Sequence, residues 1–262
     1  MSVGVDVHAR SVVACGIDGD TGELFRSRLC PDHGEILRWL GQLPGPVAVT
    51  YEAGPTGFGL ARALTAAGIG CEVLAPSRVQ RPAGDRVKTD ARDALHLARL
   101  LRLGEVVSVR VPSVAQEAAR DVVRARDDVR ADLMRARHRR SKLLLRQGIV
   151  WSGGRGWTMT HHTWLRSQTF DQPGLQIAYD ANYETVLLAE NRRDRLDALI
   201  TDMAQDPAWA AVVTRLQCLR GISVLTAFGL GRRDRRFRAA PDVLTWAATG
   251  GTVNARGILF AA

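Results

Sequence analysis

Cysteine is scarce and scattered: Cys15, Cys30, Cys71 and Cys218 stand far apart with no CxxC pair. That spacing excludes a zinc knuckle and argues against a disulfide framework, leaving free buried thiols as the expectation. Long apolar runs are missing too. Nothing approaches the roughly 20 uncharged residues that span a bilayer, and the opening MSVGVDVHAR lacks the basic-then-apolar layout of a secretory signal. A cytoplasmic protein with no membrane partner is therefore expected. No glycine fingerprint follows the first apolar segment, which speaks against a dinucleotide-binding unit.

Acidic charge is in deficit. Against 27 Asp+Glu stand 36 Lys+Arg, a formal charge of +9. Such an excess suits a polyanionic partner, because neutralising phosphates releases condensed counterions. Most of it is arginine, whose planar fork matches phosphate oxygens. The rival account is compositional, since a GC-rich genome also enriches Arg, Ala and Gly.

What is present reads as an α/β beginning and a helical remainder. Val3, Val5 and Val7 alternate as a strand, Ser11 to Ile17 forms a second, and the turn Asp18 to Gly22 leads to a third over Glu23 to Ser27. Asp32 caps a helix carrying Ile36, Leu37, Leu40 and Leu43, which Pro44-Gly45-Pro46 ends. A strand at Val47 to Tyr51, a helix at Gly57 to Ala67, a strand at Cys71 to Leu74 and a helix at Thr89 to Leu103 follow. This order is that of an RNase-H-like mixed sheet with flanking helices. From about Ala115 to Gln147 runs an Arg-crowded helix without Gly or Pro, expected to reach out as a coiled-coil arm or dimer element. Trp151 to Pro173 reads as a loop or hinge. A second long helix, about Tyr183 to Met203, is expected to return antiparallel with part of a stripe in Leu187, Leu188, Leu196, Leu199 and Ile200. The expected boundaries are 1–112 for the catalytic α/β domain, 113–205 for the arm and 206–262 for a small C-terminal domain.

Four acids stand out. Asp6 is read in the middle of the first strand, where a charge is costly unless paired or bound to metal. Glu52 follows the central strand, and Asp90 and Asp93 share one face at a helix start. Together they can form an oxygen pocket for two hard cations, the arrangement used in phosphodiester chemistry. Simpler roles stay open, since Asp90 and Asp93 also favour a helix N-terminus electrostatically and Glu52 beside Gly54 and Pro55 can be an ordinary loop acid.

The segments VGVDVHARSVVACGID, TYEAGPTGFGLARAL, APSRVQRPAGDRVKTDARDALHLARLL and SKLLLRQG resemble, in order and spacing, the DEDD-type transposases of the insertion-sequence one-ten family over about residues 1–230. The stretch GDRVKTDARDA is the most specific piece. The resemblance implies a RuvC-like domain whose tetrad Asp6, Glu52, Asp90 and Asp93 binds magnesium, two ions for which manganese can substitute. It also implies a coiled-coil arm, a C-terminal domain supplying a nucleophilic serine, DNA as substrate near the nucleoid, a structured bridge RNA as guide, and assembly as a homo-oligomer. Lys88 and Thr89 match polar neighbours of the tetrad, with phosphate contact as their guessed role.

After Leu230 the resemblance stops. The tail GRRDRRFRAAPDVLTWAATGGTVNARGILFAA contains no serine. A frameshift is the expected cause, because Gly-Arg-Arg-Asp-Arg-Arg-Phe read one base later, given suitable codons, becomes Ala-Val-Glu-Ile-Gly-Asp-Phe. No nucleophilic serine is then assigned, and Ser223 lies before the expected site. Gly221, in LRGISVLTA, is read as a hairpin-like glycine that presents amides to a phosphate, or as a plain helix–turn–helix glycine. On the long helix, Arg120, Arg124 and Arg130 precede a run in which Arg135, Arg137, Arg139, Arg140, Lys142 and Arg146 are read as a nucleic-acid surface. A solvated helix balanced by Asp121, Asp127, Asp128 and Asp132 is the alternative. The adjacent His161 and His162 near Trp157 and Trp164 are read as incidental. Two other functions remain open: a non-catalytic nucleic-acid-binding remnant that dimerises through the arm, and a Holliday-junction nuclease.

Overall fold

The structure, a computed structural model, describes residues 1–78 and 89–231 and the short strands Thr252–Val253 and Leu259–Phe260. Lys88 and most of the serine-free tail lie outside the described residues. The chain divides into two compact units, Met1–Ser113 and Val114–Ala262.

In the first unit, β1 (Ser2–Val7), β2 (Val12–Ile17), β3 (Leu24–Leu29), β4 (Ala48–Glu52) and β5 (Gly70–Leu74) make one sheet in the order β3-β2-β1-β4-β5. The β1/β2 and β2/β3 pairs are antiparallel; β1/β4 and β4/β5 are parallel. Strand alternation sorts the side chains. Val3, Val5, Val49 and Tyr51 face a core with Ile36 and Leu40 of α1 (His33–Leu40) and Leu60, Ala61 and Leu64 of α2 (Gly59–Ala66). Full burial of such side chains contributes about 1.5–3 kcal/mol each. The helix α1 starts where expected, with the Asp32 carboxylate accepting from the Glu35 backbone N–H at 2.8 Å.

The opposite face carries α3 (Asp90–Leu103), through Ala94, Leu97 and Ala98. Gly4 makes the close approach possible: a Cβ there would lie 2.1 Å from the Ala94 carbonyl oxygen and 2.4 Å from the Ala98 nitrogen. Thr89 caps α3 by accepting from the Arg92 N–H, and Gly104 ends it in the left-handed region at φ +70°. This is an RNase-H-like α/β core with helices on both faces of a mixed sheet. The thiols depart from expectation, since Cys15 is buried and Cys71 half-buried but Cys30 and Cys218 are exposed.

In the second unit, α4 (Val114–Arg146) and α6 (Pro173–Met203) lie side by side, with α5 (Met159–Arg166) between them in sequence. Cross-pairs Arg126–Asp197 and Arg137–Glu190 run in opposite order along the two helices, so the pair is antiparallel. Three expectations are corrected. The stretch Trp151 to Pro173 is not wholly loop, because Thr158 caps α5 and the helix buries His161 and Leu165. In α6, Leu187, Leu188 and Leu199 are exposed, and the buried positions are Tyr179, Val186, Ala189 and Ile200. Helix α6 also begins ten residues earlier than the leucines suggested, at Pro173 in the first turn, where the ring's fixed φ and missing N–H cost nothing. Helices α7 (Pro207–Gln217) and α8 (Val224–Gly231) pack through Trp209, Val213, Leu216 and Phe228 onto Ala119, Val123 and Ile200.

Candidate metal centre

Asp6 is the penultimate residue of β1, at its carboxyl end rather than its middle. Gly4 faces α3, so the period-two alternation of the strand turns Asp6 to the same side. The parallel register pairs Val5 with Tyr51, and Glu52 follows as the last residue of β4. From above, the first turn of α3 brings Asp90 and Asp93, on the helix face that continues through Ala94 and Leu97.

The tightest group joins Asp6 and Asp90 with a residue that sequence reasoning passed over, His8; one donor atom from each lies within 4.8 Å of the others. His8 Nε2 is 3.1 Å from Asp6 Oδ2 and 3.8 Å from Asp90 Oδ1. Glu52 and Asp93 are outside that closest trio. The charge of Asp93 is nevertheless felt: burial pushes the Asp6 carboxyl above its ordinary range, His8 opposes the push, and Asp90 and Asp93 add to it. A partly buried carboxyl raised by burial and by its acidic neighbours fits a divalent cation, which would relieve both desolvation and repulsion. The missed signal was the Asp-x-His spacing, which returns a side chain to the same side of an extended segment.

The other candidates fare differently. Thr89 accepts the Arg92 N–H as the α3 cap. Arg135, Arg139, Lys142 and Arg146 are exposed on α4, with Arg135 paired to Asp132. Arg140 is no surface residue: fully buried, its guanidinium stacks 3.8 Å from the Tyr179 ring centroid and 3.9 Å from that of Tyr183, and it donates to the carbonyls of Tyr179 and Leu165. Arg137 is also largely withdrawn, bonded to Glu190 at 2.7 Å and stacked over Trp157. Heptad phase is the reason. The steps Leu133, Ala136 or Arg137, Arg140 and Leu144 follow the seam against α6, and a seam position buries whatever occupies it. His161 is packed among Trp151, Trp157 and Trp164 and accepts the Trp157 N–H at Nδ1, while His162 meets Tyr183. Gly221 sits at φ +84° in the turn between α7 and α8. Ser223 accepts the Thr226 N–H at the start of α8.

A sheet of this order, with carboxylates gathered where the central strand ends beneath a helix start, defines an RNase-H-like protein continued by a helical region. The family model for DEDD transposases of the IS110 type, described as "Transposase", matches residues 3–148. A putative transposase, y4qE, of Sinorhizobium fredii is 38% identical over 230 residues, 86% of this chain and 56% of that protein. The transposase for insertion sequence element IS1533 of Leptospira borgpetersenii is 33% identical over 234 residues, 87% of this chain and 68% of that protein. The chain belongs to the IS110 family of DEDD transposases. It spans little more than half the length of the first of these relatives. Among the described residues, no helix is long and apolar enough to cross a membrane.

Proposed function

We propose that this chain acts in transposition of an insertion sequence, cutting DNA strands at a divalent-metal pocket formed by Asp6, Glu52, Asp90 and Asp93. What supports the reading is the meeting of carboxylates from β1 and from the first turn of α3, remote in sequence, around one partly buried strand end. When bound there, two magnesium ions would activate a nucleophilic hydroxyl and stabilise the leaving oxygen. The protein's own part is placement. Gly4 lets α3 approach β1 closely, which supports the meeting of Asp90 with Asp6, and Glu52 at the end of the neighbouring strand β4 is the further ligand proposed.

The exposed row Arg135, Arg139, Lys142 and Arg146 supplies a contact surface for the phosphates of DNA or of a structured guide RNA. Assembly as a homo-oligomer is supported by Ile177, Leu188 and Leu199, exposed at eleven-residue intervals on one stripe of α6. A Leu188→Lys variant that sediments like the parent chain would remove that support.

The test of the central reading is nicking of supercoiled DNA with Mg2+ by the parent chain, Asp6→Asn and Asp90→Asn. A metal pocket is worth several kcal/mol of transition-state stabilisation, so each variant should lose about a hundredfold or more. Nicking that survives both substitutions, or that persists in EDTA, overturns the assignment. Tight RNA binding with no cutting by the parent chain points instead to a binding role.

A further inference from the structure

We infer that His8 is a nitrogen ligand of this pocket and biases it toward Mn2+ and later transition ions over Mg2+. The inference rests on the metal reading of Asp6 and Asp90 and extends it to a residue outside the acidic tetrad.

Geometry comes first. A six-coordinate ion with ligands at about 2.0–2.2 Å holds neighbouring donors about 3.0 Å apart and opposite donors about 4.2 Å apart. His8 Nε2 stands 3.1 Å from Asp6 Oδ2 and 3.8 Å from Asp90 Oδ1, within that span. An imidazole that only needs a hydrogen-bond partner is satisfied by one carboxylate, and 3.8 Å is too long for a second bond. Here the same nitrogen is turned toward oxygens delivered by two separate elements. The backbone holds it there, since the His8 N–H donates to the Ser11 carbonyl at 3.0 Å and fixes the connection out of β1. Among the described residues the other ring nitrogen makes no hydrogen bond, and half of the side chain is open to solvent, so an ion can reach it.

Chemistry gives the direction. Magnesium prefers an all-oxygen shell and keeps its waters, whereas imidazole suits Mn2+, Co2+ and Zn2+ progressively better. A site of carboxylates plus one imidazole therefore gains more for manganese than for magnesium. A cation that merely neutralised Asp6 and Asp90 would have the opposite sign, because removing it would leave a more negative pocket that binds both ions more tightly.

The experiment is Mn2+ binding to the full chain by electron paramagnetic resonance, with Mg2+ affinity read by competition, for the parent, His8→Ala and Asp6→Asn. Loss of one ligand should weaken Mn2+ by about tenfold or more and Mg2+ by clearly less. Electron-spin-echo modulation from an imidazole nitrogen should be present in the parent and absent in His8→Ala. An unchanged Mn2+/Mg2+ ratio, tighter binding of both ions by His8→Ala, or no nitrogen modulation in the parent overturns the inference. If Asp6→Asn abolishes binding while His8→Ala does not alter it, only the histidine fails; if Asp6→Asn leaves both ions bound, the pocket itself fails. Circular dichroism of each variant confirms that the chain still folds.

Discussion

Arg139 and Arg140 are adjacent in sequence and opposite in consequence. Arg139 is solvated on α4, while Arg140 is sealed between Tyr179 and Tyr183 and donates to two main-chain carbonyls. A desolvated cation–π contact contributes about 2 kcal/mol and a charged hydrogen bond about 1.5–3. Arg140→Ala should therefore destabilise the helical unit by roughly 3 kcal/mol, whereas Arg139→Ala should stay within about 0.5 kcal/mol. Urea unfolding followed by helical ellipticity checks both, and equal midpoints would refute the contrast. The run of cations was legible in the sequence as a charge pattern. Its division into inward and outward members was not, because arginine at seam positions hides the apolar periodicity that fixes helical phase. The meeting of Asp6 with Asp90 was more legible than the arginines, since a carboxylate at a strand end or helix start is conspicuous against its neighbours. His8 was not, because a single histidine beside an acid has no signature until α3 closes over it. A pH dependence also belongs to single residues here. Burial holds the His161 imidazole below its usual 6.5, and the nearby His162, Arg140 and Arg137 add to the effect. The unfolded chain protonates near pH 6.5 while the folded ring stays neutral, so stability is complete above that pH and is lost as pH falls below it toward the depressed native value. His161→Gln keeps an acceptor for the Trp157 N–H and cannot titrate; its Tm should fall less than that of the parent between about pH 6.5 and 5. Parallel Tm curves would exclude His161 as the cause.

Among the elements, α3 decides whether the pocket exists. Its N-terminal turn carries Asp90 and Asp93, its middle rests on Gly4, and nothing larger than hydrogen fits between that glycine and the helix backbone. Gly4→Ala must lift α3 or bend β1, at a cost on the order of 1–3 kcal/mol. Both movements draw Asp90 away from Asp6. The variant should thus show a lowered Tm together with weakened Mn2+ binding, and normal Mn2+ affinity at reduced Tm would mean that α3 is not what aligns the acids. Strand and helix order in this unit was readable from the sequence because period-two valines and capping residues such as Asp32 and Thr89 mark the boundaries chemically. The closeness of α3 to β1 was not readable, although a glycine inside a strand is the customary trace of a close backbone approach. Elements of the helical unit were harder. Helix α5 hides in a Gly-, Trp- and His-rich stretch where aromatic packing overrides weak propensity, and α6 exposes the leucines that suggested its seam while burying Tyr179 and Ala189.

At the scale of the molecule, the charge of +9 has two competing origins, genome composition and selection for a polyanion. The structure separates their consequences. Toward its root, α4 mixes cations with Asp121, Asp127, Asp128 and Asp132; past Asp132 no acid remains, and Arg139, Lys142 and Arg146 follow at steps of three and four residues on one exposed stripe. Two of the interior arginines are neutralised by carboxylates of α6, Arg126 by Asp197 and Arg137 by Glu190, so they add nothing to an outward field. A functional stripe makes a quantitative demand on duplex binding. Each phosphate neutralised contributes about −0.9 to the slope of log affinity against log salt for B-form DNA, so replacing Arg139, Lys142 and Arg146 together by alanine should flatten that slope by roughly 2.7. Fluorescence anisotropy of a labelled duplex across a salt series measures it. If the stripe is only solvated surface, the triple variant will bind with the parent's slope and the excess charge will have to be sought elsewhere. If the slope flattens for duplex RNA but not for DNA, the surface belongs to the guide and not to the substrate. Because these positions lie off the seam, the triple variant should keep the parent's unfolding midpoint, so that a lost slope cannot be charged to a lost fold.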